Sequence, residues 1–389
     1  MKHNVNNPYV LYYFQIIFLK KLIYLLLFFS MTVEREGNII DLSSEIHLVI
    51  KGSGNQSIIN NSFYLLPDEV YVNGLYKESC KTICELEYEE NNVTLVFNHI
   101  MNSTENMFYQ SFNIKEIDFS DFDFSYVTSM SFMFRFCGDI KRIDFGDINT
   151  SSLVDMKGIF YNCSNLTSVD VSKFDTSLVT TMERLFYNCS SLEYIDVSNF
   201  NTTNVKSLRC LFYSCEKLIS LDLSNFDTSS VTDIEQIFRD CHRLSSINLS
   251  NFNTSNIKSL RGVFYNCKEL TSIDITSFDT SSVTDMEFLF YGCEKITSLN
   301  LLNMNTSFTQ NMMALFYNCQ NLKTLDLKNF DTSSVTYIPW MFYQCYSLSS
   351  IKGLELFNTS QVVSMANIFY YCKSLVSLNL SSFDVTKSY

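Results

Sequence analysis

The stretch Leu270-Thr-Ser-Ile273-Asp-Ile-Thr-Ser-Phe278-Asp-Thr-Ser-Ser-Val283-Thr-Asp-Met286-Glu-Phe-Leu289-Phe290-Tyr-Gly-Cys293 decides the fold, because it recurs with small changes along most of the chain. Cys137, Cys163, Cys189, Cys215, Cys241, Cys267, Cys293, Cys319 and Cys345 follow one another at 26 residues, and Cys372 comes after 27. A fixed period of this length marks stacked units, each unable to bury its apolar face alone. The 389-residue chain therefore reads as one solenoid with an N-terminal cap rather than as several globular domains.

Each unit opens with Leu-x-x-Leu-Asp-Leu or a near variant, as at Leu218, Leu221 and Leu223. Alternation about Asp222 predicts a short parallel strand with its leucines inward. Five residues after Leu221 comes a Phe column, Phe122, Phe174, Phe200, Phe226, Phe252, Phe278, Phe330 and Phe383, with Ile148 and Met304 as substitutes. In the second half Met286, Leu289 and Phe290 form the i, i+3, i+4 set expected of one or two helical turns. Thr284 with Glu287, Thr232 with Glu235 and Thr180 with Glu183 have capping-box spacing. The expectation is an α/β solenoid, leucine-rich-repeat-like, with one short parallel strand and one short helix per 26-residue turn and a small β-rich N-terminal cap.

Residues 114–389 hold ten complete repeats and one partial repeat, and the stop at Tyr389 inside the eleventh unit suggests a truncated gene model or a fragment. Residues 34–113 read as the β-rich cap, ending in a half-repeat with Ser111 at the cysteine position. Residues 1–33, apolar but split by Lys20 and Lys21, read as a signal peptide or a signal anchor; a misplaced start or a cytosolic chain remains open.

The motif Leu-x-x-Leu-Asp-Leu-Ser-x-Phe-Asp-Thr-Ser-x-Val-Thr-x-Met-x-x-x-Phe-Tyr-x-Cys-x-x-Leu resembles the 26-residue repeat of bacterial surface proteins, similar to BspA-like leucine-rich repeats. The resemblance implies a solenoid on secreted or surface-exposed proteins, with adhesion or host-interaction roles, and offers no catalytic residues to carry over. Departures are the insertion at Lys352-Gly353-Leu354, Met304 in the Phe column and Pro339 in the helical half.

Because residues one period apart stack, columns are the candidate sites. The outward strand column contains Asp144, Asp170, Asp196, Asp222, Asn248, Asp274, Asn300 and Asp326, a candidate partner-binding face or simply a solvated one. Calcium would need six to eight converging oxygens, which a flat sheet with Ser neighbours does not supply. A second column alternates Asp and Asn from Asp123 to Asp384, and a third alternates Lys157, Glu183, Arg209, Glu235, Arg261 and Glu287, a pattern suited to register control. Tyr161, Tyr187, Tyr213, Tyr265, Tyr291, Tyr317 and Tyr343 form an aromatic stripe that either packs over the next turn or makes contacts.

The column cysteines read as a buried, reduced thiol column. Cys80 and Cys84 lie outside the period and could form a disulfide in an extracellular cap. The net charge of -13 argues against nucleic acid or anionic lipid as a partner. No phosphate-binding Gly loop, zinc ligand set or nucleophile elbow is evident, and the one His in the repeats, His242 beside Cys241, has no counterpart in neighbouring units. No cofactor or small-molecule substrate is expected.

The reading is a non-enzymatic surface or secreted repeat protein that binds a protein or glycan partner, with membrane attachment only through an uncleaved N-terminal anchor. Its alternatives are a surface-coat or spacer protein, or an intracellular protein-interaction scaffold if residues 1–33 are not a signal. Fourteen Asn-x-Ser/Thr triplets, Asn55, Asn102 and Asn201 among them, matter only in a glycosylating pathway.

Overall fold

A computed structural model describes residues 43–386; the segment read as a signal lies outside them. Among the described residues no helix is long and apolar enough to cross a membrane.

The cap is built from β1 (Ser44–Lys51), β2 (Gly54–Ser57), β3 (Glu69–Val72), β4 (Leu75–Tyr76), β5 (Ile83–Leu86) and β6 (Glu90–Phe97). In β1 the alternation buries Ile46, Leu48 and Ile50. β1 pairs antiparallel with β6 on one side and with the first repeat strand, β7 (Ile114–Asp118), on the other. β7 in turn pairs in parallel with β8 (Arg142–Asp144), so the cap sheet runs directly into the solenoid and covers its first edge. β2 and β5 form a separate ribbon, and Cys80 and Cys84 are joined as a disulfide with their Cα atoms 4.9 Å apart.

Parallel strands recur at β9 (Ser220–Asp222) with β10 (Ser246–Asn248) and β11 (Thr324–Asp326) with β12 (Ser350–Lys352). A second parallel ladder of single bridges runs at the corner of each turn, through Ser129, Asp155, Thr181 and Ser207 and again through Asp285, Asn311 and Tyr337.

The expected helix is not formed. In the quoted unit, Leu289 N–H bonds to Met286 O, Tyr291 N–H to Phe288 O and Cys293 N–H to Phe290 O, a chain of overlapping turns. The intervening groups, Met286, Phe288, Phe290 and Gly292 N–H, donate instead to Asn311, Met313, Leu315 and Tyr317 carbonyls of the next unit, at 2.7–3.0 Å. A helix would close its N–H groups on its own segment from the fifth residue onward. Here every second one is kept for the neighbour.

This alternation requires positive φ at two positions per unit, such as Phe288 and Gly292 at 60° and 68°. In five units the second of these positions is Asn162, Asn188, Asp240, Asn266 or Asn318, residue types that tolerate the left-handed region, while Phe136, Ser214, Gln344 and Tyr371 adopt it elsewhere. Buried residues were legible all the same: Met286, Leu289 and Phe290 are all in the core. Overlapping turns and a helix place the same positions inside.

Two sequence departures have local explanations. Pro339 occupies the position of Glu287 and Met313, whose N–H groups bond only to a corner side chain, Asp285 and Asn311. Tyr337 at that corner offers no such acceptor, so the missing N–H costs no ladder bond. Gly353 has φ of 92°, and a Cβ there would lie 2.6 Å from Lys328 N. The extra residue is absorbed by the 3-10 turn Leu354–Leu356 that follows, and Phe357 is again buried.

Along the interior, stacked rings run from Phe108 through Phe134, Phe160, Phe186 and Phe212 to Phe369, with centroids 5.3–6.3 Å apart. Beside them a column of buried threonines ties the turns together. Thr228 Oγ1 donates to Asn253 O at 2.9 Å and accepts Asn253 N–H at 2.7 Å. Both hydrogen-bonding capacities of a buried hydroxyl are thereby used.

Candidate functional site

The strand column, read as a partner-binding or simply solvated face, is also the first corner of most turns. Oδ1 of Asp170, Asp196, Asp222 and Asp274 accepts the backbone N–H of Ser172, Ser198, Ser224 and Thr276 at 2.9–3.0 Å. Asn248 and Asn300 do the same for Ser250 and Leu302, as Asp144 does for Gly146 and Asp326 for Lys328. These are Asx turns, in which the side chain stands in for a backbone acceptor. Hydrogen bonds from the Ser172 and Thr276 hydroxyls and N–H groups hold Asp170 and Asp274 below the usual carboxylate range, and the Ser224 N–H and hydroxyl do so for Asp222. One oxygen of each side chain is thus committed to the fold, which explains why Asn replaces Asp freely.

The alternating Asp/Asn column forms the second corner by the same device, as at Asp175 with Ser177 and Asn201 with Thr203. The third corner uses Asp155, Thr181, Ser207, Asp233, Ser259 and Asp285. The capping-box expectation is therefore displaced by one residue: Asp285, Asp233 and Thr181 accept the turn N–H. Thr284, Thr232 and Thr180 instead donate to Lys258, Lys206 and Val154 carbonyls of the preceding turn.

The third column pairs across turns, Lys157 with Glu183 at 2.9 Å, Arg209 with Glu235, and Arg261 with Glu287 at 2.6 Å. Burial pushes the Glu287 carboxyl up, and Arg261 opposes that rise.

The tyrosine stripe forms a ladder of parallel rings. Tyr161, Tyr187 and Tyr213 are 4.4 Å apart, centroid to centroid, and Tyr265, Tyr291, Tyr317, Tyr343 and Tyr370 follow at 4.3–5.0 Å. The two positions where the periodic Tyr is missing hold arginines, a feature visible in the 26-residue spacing but not singled out from it. Arg239 lies between the two runs, its guanidinium 4.1 Å from the Tyr265 centroid and 5.5 Å from that of Tyr213. Arg135 lies at the head, 5.0–5.4 Å from Tyr109, Phe132, Phe136 and Tyr161. A cation thus continues the ladder where a ring is absent.

The faces of these rings are covered by one another. The ladder is partly exposed, and burial together with the neighbouring tyrosines pushes the Tyr187 and Tyr291 hydroxyls up, keeping them protonated.

Column cysteines from Cys137 to Cys345 are fully buried and Cys372 is partly so; each Sγ donates to the carbonyl of a Phe in the preceding unit, for example Cys163 to Phe134 at 3.2 Å. Burial raises Cys137 to about 12 and pushes the other column thiols up as well. Cys241 Sγ is directed to Phe212 O, while His242 Nε2 lies 3.6 Å from Asp240 Oδ1, so the two side chains serve different partners. Among the described residues no three His, Cys, Asp or Glu converge as a metal ion would require.

The chain is similar to a leucine-rich repeat protein from Bacteroides ovatus at 20% identity, over 81% of this chain and 82% of that one, with a TM-score of 0.41. A leucine-rich repeat protein from Eubacterium ventriosum matches at 18% identity over 70% of this chain and 74% of that one, with a TM-score of 0.39. The leucine-rich repeat protein of T. pallidum matches at 19% identity over 54% and 72%, with a TM-score of 0.22. No curated protein matches the chain. A family model does match, over residues 101–218, 192–299 and 287–389, and since these segments together span most of the sequence, the chain belongs to the family described as "Mycoplasma protein of unknown function, DUF285".

Proposed function

We propose that this chain is a non-enzymatic repeat protein, secreted or displayed at a cell surface, that binds a protein or glycan partner along the tyrosine ladder. The reading is supported by the half-exposed row of stacked tyrosines, which offers hydroxyl donors at a regular spacing on a backbone whose own hydrogen bonds are closed between turns. Rigid aromatic side chains with a polar edge lose little entropy on binding and are enriched where proteins make contacts. The acidic strand face is the weaker candidate, because its carboxylates are already used at corners. A spacer role is the competing reading, favoured by that same closed backbone.

Replacing Tyr265, Tyr291 and Tyr317 together by Phe keeps the stack and removes the hydroxyls. Attachment of the labelled full chain to intact cells should fall about tenfold, equivalent to ~1.4 kcal/mol. Unchanged attachment sinks the ladder as the contact surface, and an absence of any attachment by the parent chain favours the spacer. Location is tested separately by mass spectrometry of cell, surface and medium fractions. An intact Met1 found in the cytosol overturns the surface assignment and recasts the chain as an internal scaffold.

A further inference from the structure

A cleft of ≈ 1020 Å³ lies where the cap meets the first turns, between the loop at Ser57 to Tyr64 and the half-repeat at Asn102 to Gln110, with Arg135 from the following turn. Its size is at the upper end of ligand pockets, roughly 300–1,000 Å³. Asn60, Asn61, Asn102, Asn106 and Gln110 bring five amides to one hollow, and Glu105 is the one carboxylate among the lining residues. An amide both donates and accepts, which matches a ligand made of hydroxyls.

The hollow is held open by internal bonds. Tyr64 Oη donates to Ser103 O at 3.0 Å, and Asn60 Nδ2 to Tyr109 O at 3.3 Å, which ties the cap loop to the half-repeat. Asn61 and Gln110, both exposed, make no side-chain hydrogen bond among the described residues, and Tyr64, 57% exposed, presents an aromatic ring beside them.

Arg135 supplies the charge. It forms no ion pair among the described residues, and its Nε is buried without a hydrogen-bond partner while four aromatic rings surround the guanidinium. A cation so fixed in orientation is pre-organised for a carboxylate. Glu105 does not serve it; that carboxylate accepts from Asn106 Nδ2 at 3.3 Å.

We propose that this cleft binds an acidic oligosaccharide, with the amides of Asn61, Asn102, Asn106 and Gln110 on sugar hydroxyls, Tyr64 beside a sugar ring and Arg135 on a sugar carboxylate. One cation, with Glu105 the one anion among neutral amides, fits a ligand with few and widely spaced acid groups. A polyanionic peptide or nucleic acid meets too few cations here and is repelled by a chain of net charge -13. The inference rests on the reading of the chain as a binding protein, but its site is separate from the Tyr265 to Tyr343 ladder.

The test is calorimetric titration of the full chain produced without N-glycosylation, since Asn60 and Asn102 each begin an Asn-x-Ser/Thr triplet. The probes are a hexasaccharide of alternating glucuronate and N-acetylglucosamine and, as a neutral control, a hexasaccharide of N-acetylglucosamine. Arg135→Gln should weaken the acidic hexasaccharide at least tenfold and the neutral one less than twofold. Asn61→Ala with Gln110→Ala, at exposed positions that leave the core intact, should weaken both, and this pair decides the matter if Arg135→Gln fails to fold.

No saturable binding of the acidic hexasaccharide, or binding indifferent to both sets of changes, overturns the proposal. Equal competition by polyglutamate does so too, by revealing a general anion site. The triple Tyr-to-Phe variant should bind the hexasaccharide normally, and the Asn61→Ala, Gln110→Ala pair, outside the ladder, should attach to cells normally, so the two readings fail independently.

Discussion

The cap and the repeats both have to close backbone hydrogen bonds over an apolar core, and they do it by opposite means. In the cap, β1 and β6 pair along eight residues each, and their register is carried by the apolar alternation of Ile46, Leu48 and Ile50 against Val93, Leu95 and Phe97. A slip by one residue would turn that face to water. In the repeats, strands are only three to five residues long, and register is carried by polar groups: three corner side chains per turn, a buried Thr and the alternate N–H groups of the overlapping turns. Regular secondary structure is dispensable when every turn repeats the same contacts with the next.

The strongest way to break this comparison is to remove a ring from the middle of the interior stack. Phe212→Ala should cost about 3–5 kcal/mol in chemical denaturation, since Phe212 is fully buried between Phe186 and Phe238. In a solenoid each turn contacts only its neighbours, so amide exchange should quicken around residues 186–238 while β1 and β6 stay protected. If cap and repeats lose protection together, they are one cooperative unit and the contrast fails.

A polar substitution sharpens it. Thr228→Val leaves Asn253 N–H and its carbonyl without their partner in the core, and should lower stability by about 1–3 kcal/mol. The same change at Thr94, on the cap sheet and only partly buried, should fall within about 0.5 kcal/mol, because the strand backbone there is closed by its own ladder. Similar losses at both sites in urea titrations would mean that register in the repeats does not depend on the threonine.

The smallest effect concerns the exposed corners. Asp222→Asn keeps the Asx turn, as Asn248 does one turn on, and should leave the melting temperature nearly unchanged, whereas Asp222→Ala should cost about 0.5 kcal/mol. Asp170, Asp222 and Asp274 have folded pKa values below those of free carboxylates, so their contribution is present above about pH 4 and is lost as pH falls through the depressed values. Replacing all three by Asn should make the acid limb of a stability profile shallower. A steeper limb would contradict the corner role.

Much of this was legible in the sequence because burial follows residue type and period. Most of the Leu and Phe columns, Met286, Leu289 and Phe290, and the cysteines from Cys137 to Cys345 lie inside as their spacing predicts, whereas Cys372 and Phe383 are only partly buried. The ion pairs Lys157 with Glu183 and Arg261 with Glu287 followed from charges one period apart.

The misread features share a cause. An i, i+3, i+4 apolar set is compatible with a helix and with overlapping turns, and the choice depends on whether a neighbouring turn offers carbonyls to every second N–H. The signal that could have decided it was the Asn, Asp and Gly column at Asn162, Asn188, Asp240, Asn266 and Gly292, which marks positive φ rather than helix. Likewise Arg135 and Arg239 lay in the tyrosine register, but only stacking makes a guanidinium equivalent to a ring.

Spacing along the chain is enough to give the period, the family, most of the buried positions and the pairs of columns that meet, because stacking near-identical units turns a linear spacing into a contact. The three-dimensional stack settled where the backbone hydrogen bonds between turns go, and that the cap loop and first turns line an amide-rich cleft. Those depend on groups distant in sequence being brought within about 3 Å of each other, and no local pattern encodes that distance.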